Sequence, residues 1–262
     1  MTHGPSDAFA LEHVSVQYGA AHALSDVTLH IAAGERVALV GPSGAGKSTL
    51  LGLLNGSRAA SSGSVRSLGV DLRRAGARER RATQAQIGMI QQQLHLVRAL
   101  PVIHNVNAGR LSRWSLWTAL SQLIWPRDID APRRALARVG IADKLFAPTD
   151  TLSGGEQQRV AIARALMQEP RALLADEPVS SLDPARSRDV LTLLTDLSRA
   201  SGCTLVVSLH LPEHALTFCD RVIGLRAGRV VFDTRSASVT PAMTQALYAL
   251  PETGGSVTGA AA

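Results

Sequence analysis

Lys47 and Lys144 are the only lysines in this 262-residue chain, and arginine carries nearly all of its remaining positive charge. Lys47 belongs to GPSGAGKS, the run Gly41, Pro42, Ser43, Gly44, Ala45, Gly46, Lys47 and Ser48, with Thr49 next. Glycines at this spacing let a loop wrap tightly, so that successive backbone N–H groups point inward at phosphate oxygens. A helix opening at Lys47 adds roughly half a positive charge at its N-terminus. The lysine reaches β and γ phosphates and the Ser48 hydroxyl suits Mg²⁺. A compact ammonium fits inside such a cradle where a planar guanidinium does not.

Such a loop needs carboxylates. LLADEP supplies Asp176 at the end of an apolar strand, placed for a magnesium shell, and Glu177, placed to orient or deprotonate an attacking water. Adjacent strand residues point apart, but just before Pro178 turns the chain both can face one pocket. A second anion site is spelled by LSGGEQQR, Leu152 to Arg159. Apolar residues at Val160, Ile162, Ala163 and Leu166 predict a helix beginning near Gly154 or Gly155 with Ser153 as N-cap. Its first turn offers a hydroxyl and free N–H groups to an anion; the plain alternative is a well-capped helix with a glycine entry.

These residues need rigid elements behind them. ERVALVG, RALLAD and CTLVVSLH read as buried strands, and KSTLLGLLNG as a helix with a glycine stop. PARSRDVLTLLTDLSRASG reads as a helix with Asp183 at the N-cap, Pro184 at its first position and Gly202 past its end. RVIGLRAGRVVF reads as a hairpin turning at Ala227 and Gly228. Strands alternating with helices imply an α/β fold, a mixed, mostly parallel sheet covered on both faces. Residues from about 92 to 165 read instead as helices broken at Pro101, Pro126, Pro132 and Pro148, a helical subdomain inserted into that core. The expected division is a domain over residues 8–235 and a tail over 236–262 with a short helix and a frayed end.

Apolar residues make up 45% and charged residues 18%, which excludes a disordered chain. The net charge of +6 is spread along the sequence except for Arg73 to Arg81, read either as a solvated face or as a partner contact. MTHGPSDAFALEHVSV has neither a basic nor an apolar signal region, and no run approaches the roughly 20 apolar residues that span a bilayer. A cytosolic location follows as the expectation, with Cys203 and Cys219 as small buried hydrophobes.

LSGGEQQR, followed by a strand ending in DEP, then SSLD and a strand-terminal histidine, resembles the ATP-binding-cassette ATPases over residues 10 to about 233. The resemblance implies a P-loop NTPase of ABC type that works as a head-to-tail pair, most simply a homodimer. Ser153, Gly154, Gly155 and Glu156 of one copy would close over ATP held by the P-loop of the other, and Asp183, in Ser180 to Asp183, would communicate between the sites. It further implies that Tyr18 stacks on adenine and that His210 contacts the γ phosphate. IGMIQQQLHLV matches the loop whose glutamine touches Mg²⁺ or the attacking water; alignment on Ile87 to Ile90 selects Gln92, and Gln91 stands where the family has an aromatic. ATP and Mg²⁺ are the implied cofactors. The implied partners are a membrane permease and, indirectly, a substrate-binding protein, with no nucleic acid, at the cytoplasmic face of the cell membrane.

HNVNAGRLSRWSLWTALSQLIWPRD, DEPVSSLDP and VVSLHLPEHALTFCDRVIGLRAGRVVFD resemble the ATPase subunit of bacterial phosphonate importers. Other importers, including those for phosphite, exporters, soluble cassette proteins acting on ribosomes or DNA, and a non-catalytic regulatory cassette stay as alternatives. Trp114, Trp117 and Trp125 fall within about an 80° arc of one helix face, with Ser112 able to cap that helix and Pro126 to end it. The stripe either packs inside the helical subdomain or helps form a groove for a permease helix.

Overall fold

The computed structural model describes residues 7–114, 117, 128–180 and 182–249. Its first elements are ones the sequence pattern hides. β1 (Asp7–Tyr18) and β2 (Ala21–Ala32) pair antiparallel, and β1 also pairs with β4 (Ser62–Ser67), which pairs with β5 (Val70–Asp71). This four-stranded antiparallel sheet, in the order β2-β1-β4-β5, adds a layer that the expected strand–helix alternation does not contain.

The second sheet has the order β10-β9-β3-β8-β7-β6. It is built from β3 (Arg36–Val40), β6 (Ile87–Ile90), β7 (Ala172–Asp176), β8 (Thr204–Leu209), β9 (Arg221–Arg226) and β10 (Arg229–Arg235). The first five run parallel and β10 alone is antiparallel, folded back on β9 through Ala227 and Gly228, whose φ of 47° and 74° are those of a tight hairpin turn. The mostly parallel sheet read from the sequence is therefore present.

Both faces of this sheet are covered, each by a different layer. Val37 and Leu39 of β3 and Val206 of β8 face a cluster shared with α1 (Lys47–Leu54) and with Phe9, Leu11 and Ile31 of the antiparallel sheet. Ala38, Val40, Val207 and Leu209 face a second cluster formed with α5 (Gly154–Leu166) and α6 (Pro184–Ser201). Alternate burial on two covered faces explains why these strands are apolar throughout.

Between Gln92 and α5 the described residues hold helices: α3 (Val102–Asn107), α4 (Asp130–Arg138) and short 3₁₀ turns at Ala108–Arg113, Ala142–Lys144 and Thr149–Thr151. Pro101 and Pro148 precede helical turns and pair with each other as an isolated bridge. Pro132 is a correction, since it lies inside the first turn of α4, where its missing N–H costs no intrahelical bond. Pro126 and Trp125 lie outside the described residues. Ser112 falls within the 3₁₀ turn rather than capping a helix, and Trp114 follows it in extended backbone. Trp117 is 82% exposed, against the reading that all three tryptophans pack inside.

The arginine run falls around α2 (Ala77–Gln84), where Arg73, Arg74, Arg78 and Arg81 are exposed and Arg80 donates to the Leu72 carbonyl at 2.8 Å. After α7 (Pro212–Phe218) and the hairpin, α8 (Pro241–Tyr248) folds back, capped by the Thr240 hydroxyl and with Leu247 fully buried. Among the described residues no helix is long and apolar enough to cross a membrane.

Candidate active site

β3 feeds directly into the glycine loop, and the loop can take its shape only because of its glycines. A Cβ on Gly41, whose φ is 152°, would lie 2.0 Å from the Leu225 carbonyl oxygen; one on Gly46, at φ 104°, would lie 2.6 Å from that of Ala23. The β9–β10 turn braces the loop from outside, with the Gly228 N–H donating to Ala45 O at 3.1 Å. Lys47 opens α1 and is 4% exposed. Its Nζ donates to the carbonyls of Gly41 at 2.8 Å and Pro42 at 3.1 Å and lies 3.6 Å from Glu177 Oε1.

β7 ends at Asp176, and Glu177 takes a left-handed φ of 47°. That conformation is costly for a residue with a side chain, and strain of this kind is typically held where function uses it. A hydroxyl on the neighbouring strand holds it here. Ser208 of β8, fully buried, accepts the Glu177 N–H at 2.8 Å and donates to Asp176 Oδ1 at 2.7 Å. The sequence reading passed over Ser208; its signal was a serine inside the otherwise apolar run LVVSL. Immediately after β8, His210 places Nε2 2.7 Å from Glu177 Oε2.

These groups meet in one cleft, lined by Ala23, the loop from Ser43 to Thr49, Gln92, Glu177 and His210. The P-loop, Glu177, His210 and one of the three consecutive glutamines thus converge from separate strands. Gln92 Nε2 also lies 3.5 Å from Ser180 Oγ. The chain after Gln92 is gripped from α5, where Arg164 donates to the Leu94 carbonyl at 2.6 Å and the His95 carbonyl at 2.9 Å. Burial pushes the Arg164 pKa down. Asp176 and Tyr18 are outside the cleft lining. Tyr18, at the end of β1, is half exposed, its hydroxyl bonded by Arg58, whose guanidinium carbon lies 5.5 Å from the ring centre.

Ser153, Gly154, Gly155 and Glu156 are not in that cleft either. They form the N-terminus of α5, closed as a capping box in which the Glu156 N–H donates to Ser153 Oγ at 3.3 Å and the Ser153 N–H to Glu156 Oε2 at 2.9 Å. The Ser153 N–H, then its hydroxyl and then Lys144 hold the Glu156 carboxyl below its ordinary range. Asp183 caps α6 by accepting the Arg186 N–H at 3.0 Å, which lowers its pKa in the same way.

A phosphate cradle with a buried lysine, two strand-end carboxylates and a histidine is chemistry for nucleoside triphosphate hydrolysis. Comparison with known proteins narrows this. The chain is 46% identical to the phosphonates import ATP-binding protein PhnC of Pseudomonas putida over 92% of this chain and 90% of that protein. It is 50% identical to the PhnC of Anaeromyxobacter dehalogenans over 90% of this chain, though it spans only 47% of that relative's length. Among solved structures, a dimeric ATP-binding cassette in a post-hydrolysis state bound to ADP and Pi aligns with a TM-score of 0.71 at 29% identity, over 87% of this chain and 98% of that one. The family model for the ABC transporter matches residues 24–180, so the chain belongs to the ABC transporter family and binds ATP.

Proposed function

We propose that this chain is the ATP-hydrolysing subunit of a phosphonate importer, working as a pair of cassettes against a separate membrane permease. The observation that carries the hydrolytic part is the row Lys47, Glu177 and His210 at the mouth of the P-loop, with separations of 3.6 Å and 2.7 Å. The substrate class comes from relatives that are phosphonates import ATP-binding proteins and align over nine-tenths of this chain; the separate permease follows from reading the chain as the ATPase of an importer.

In this reading the backbone from Gly41 through Thr49, with Pro42, Ser43, Gly44, Ala45 and Gly46 between, wraps the phosphates, and Lys47 offsets β and γ charge. Tyr18 stacks on adenine. Glu177 orients the attacking water and takes its proton, while His210 holds the γ phosphate. Catalysis is then mostly positioning and charge stabilisation. Ser153, Gly154, Gly155, Glu156 and Asp183 serve the partner's nucleotide, which explains why they sit outside their own chain's cleft. Residues 8–235 form the nucleotide-binding domain, with residues 92–165 as its helical subdomain.

The donors also fit Mg²⁺. Ser48, Gln92 and Asp176 offer a hydroxyl, an amide oxygen and one carboxylate, and among the described residues no group of three or more His, Cys, Asp or Glu gathers as a dedicated cage. That set suits an ion taking one or two carboxylates plus phosphate oxygens and water. When bound, Mg²⁺ held by Ser48, Gln92 and Asp176 would neutralise charge developing on the phosphates. The assembly would lie peripherally on the cytoplasmic face of the membrane, fed by a substrate-binding protein.

The test is growth of a strain lacking the gene on an alkylphosphonate as sole phosphorus source, with inorganic phosphate as control. Loss of growth on phosphonate alone, restored by the wild type and not by Glu177→Gln, is expected. Restoration by Glu177→Gln would refute ATP-driven import by this chain.

A further inference from the structure

The last described helix reaches the active site from behind. α8 ends with Leu247 fully buried in the core cluster beneath the main sheet, and Arg226 Nη1 donates to the Ala246 carbonyl at 2.7 Å. These two anchors fix where Tyr248 points. Its hydroxyl donates to the main-chain carbonyl of His210 at 2.9 Å. Burial raises the Tyr248 pKa, and the Gly41 N–H opposes that rise. The phenol therefore ties the C-terminal helix to the residue that follows β8.

His210 needs such a restraint. Leu209 is the last residue of β8 paired to β3 and Ser208 the last paired to β7, so His210 stands one step beyond the ladder, before α7 begins at Pro212. Beyond the ladder no strand partner fixes the His210 backbone, and a shift of its Cα would carry the imidazole away from Glu177. A hydrogen bond on its carbonyl restrains that backbone.

We propose that Tyr248 is a positioning residue for His210, through which the C-terminal helix holds the imidazole against Glu177. The inference rests on the reading of His210 as the γ-phosphate contact. It assigns a role in turnover to a segment that otherwise reads as a tail.

Tyr248→Phe tests it in the full chain, because the ring and the Leu247 packing stay while the hydroxyl goes. Expected is a fall in kcat for ATP of about three- to tenfold, the worth of one hydrogen bond, with KM changed less than about twofold. The melting temperature should fall by no more than about 4 °C, the worth of one hydrogen bond in a chain of this size. In a His210→Ala background, single-turnover rates should be the same with Tyr248 or Phe at this position, since no imidazole remains to be placed. Wild-type kcat in Tyr248→Phe, or an equal loss in the His210→Ala background, would overturn the proposal. A His210→Ala variant with full turnover would instead overturn the reading of His210 itself; His210→Ala inactive beside a normal Tyr248→Phe sinks only the role of Tyr248.

Discussion

Glu177 is held from two sides, with His210 Nε2 2.7 Å from Oε2 and Lys47 Nζ 3.6 Å from Oε1. Its side chain is 13% exposed. A carboxylate between two basic groups and facing a phosphate cradle can accept a proton from water without itself bonding the nucleotide. Glu177→Gln should keep ATP affinity near wild type and lower steady-state turnover by about a hundredfold or more, the usual worth of a positioned general base. Fluorescent-nucleotide titration beside phosphate release would check both halves; turnover close to wild type would remove Glu177 from the chemistry.

Ser208→Ala removes the hydroxyl that accepts the Glu177 N–H and donates to Asp176. Leaving a buried donor unpaired costs about 1–3 kcal/mol, so urea unfolding should show a loss in that range. Because the same hydroxyl holds Glu177 at positive φ, kcat should fall together with stability. A variant that loses stability yet keeps full kcat would show that Ser208 supports the fold alone.

The capping box at α5 gives a pH signature. The Glu156 pKa is depressed below its ordinary value of 4.5 in the folded chain, so its stabilising effect is complete above that pH and is lost as pH falls through the lower folded value. Ser153→Ala should destabilise the chain by about 1 kcal/mol near neutrality, the typical worth of an N-cap. The stability difference between wild type and Glu156→Gln should shrink as the solution is acidified below 4.5. A difference constant from pH 7 to pH 3 would contradict the assigned geometry.

Cys203 and Cys219 are buried and free, and burial pushes their thiols up to about 11 and about 12. The reactive species is the thiolate. At pH 8 the native chain should therefore resist a thiol-specific reagent such as Ellman's, and both cysteines should react once urea unfolds it. Rapid modification of either in the native state would show that its burial is wrong.

What the sequence made legible was what neighbouring residues settle among themselves. The glycine loop, the Ser153 and Asp183 caps and the Ala227–Gly228 turn each follow from a few adjacent residue types. The antiparallel sheet was not legible, because its pairs span long separations such as Phe9 with Ser67, and because register shifts near positive-φ His13 and Asp26 break the alternation that marks a strand. Pro132 looked like a break because its position within the first turn of α4 depends on where that helix starts. Ser208 and Tyr248 were missed for a related reason. Each acts on a backbone group of a residue distant in sequence, and nothing in their own surroundings announces the partner.

The Arg164 clasp joins two parts of the cassette that face different directions. Its side chain springs from the helix whose first turn carries Ser153, yet both of its hydrogen bonds end on the carbonyls just after Gln92. Turning α5 while leaving Gln92 in place would break two bonds from a guanidinium, roughly 3–6 kcal/mol at the usual worth of charged hydrogen bonds. The cheaper motion carries both together. In the proposed pair, a cassette that swung its α5 N-terminus away from its neighbour would draw Gln92 out of its own cleft, so that each site would be armed by the contact its chain makes with the other nucleotide.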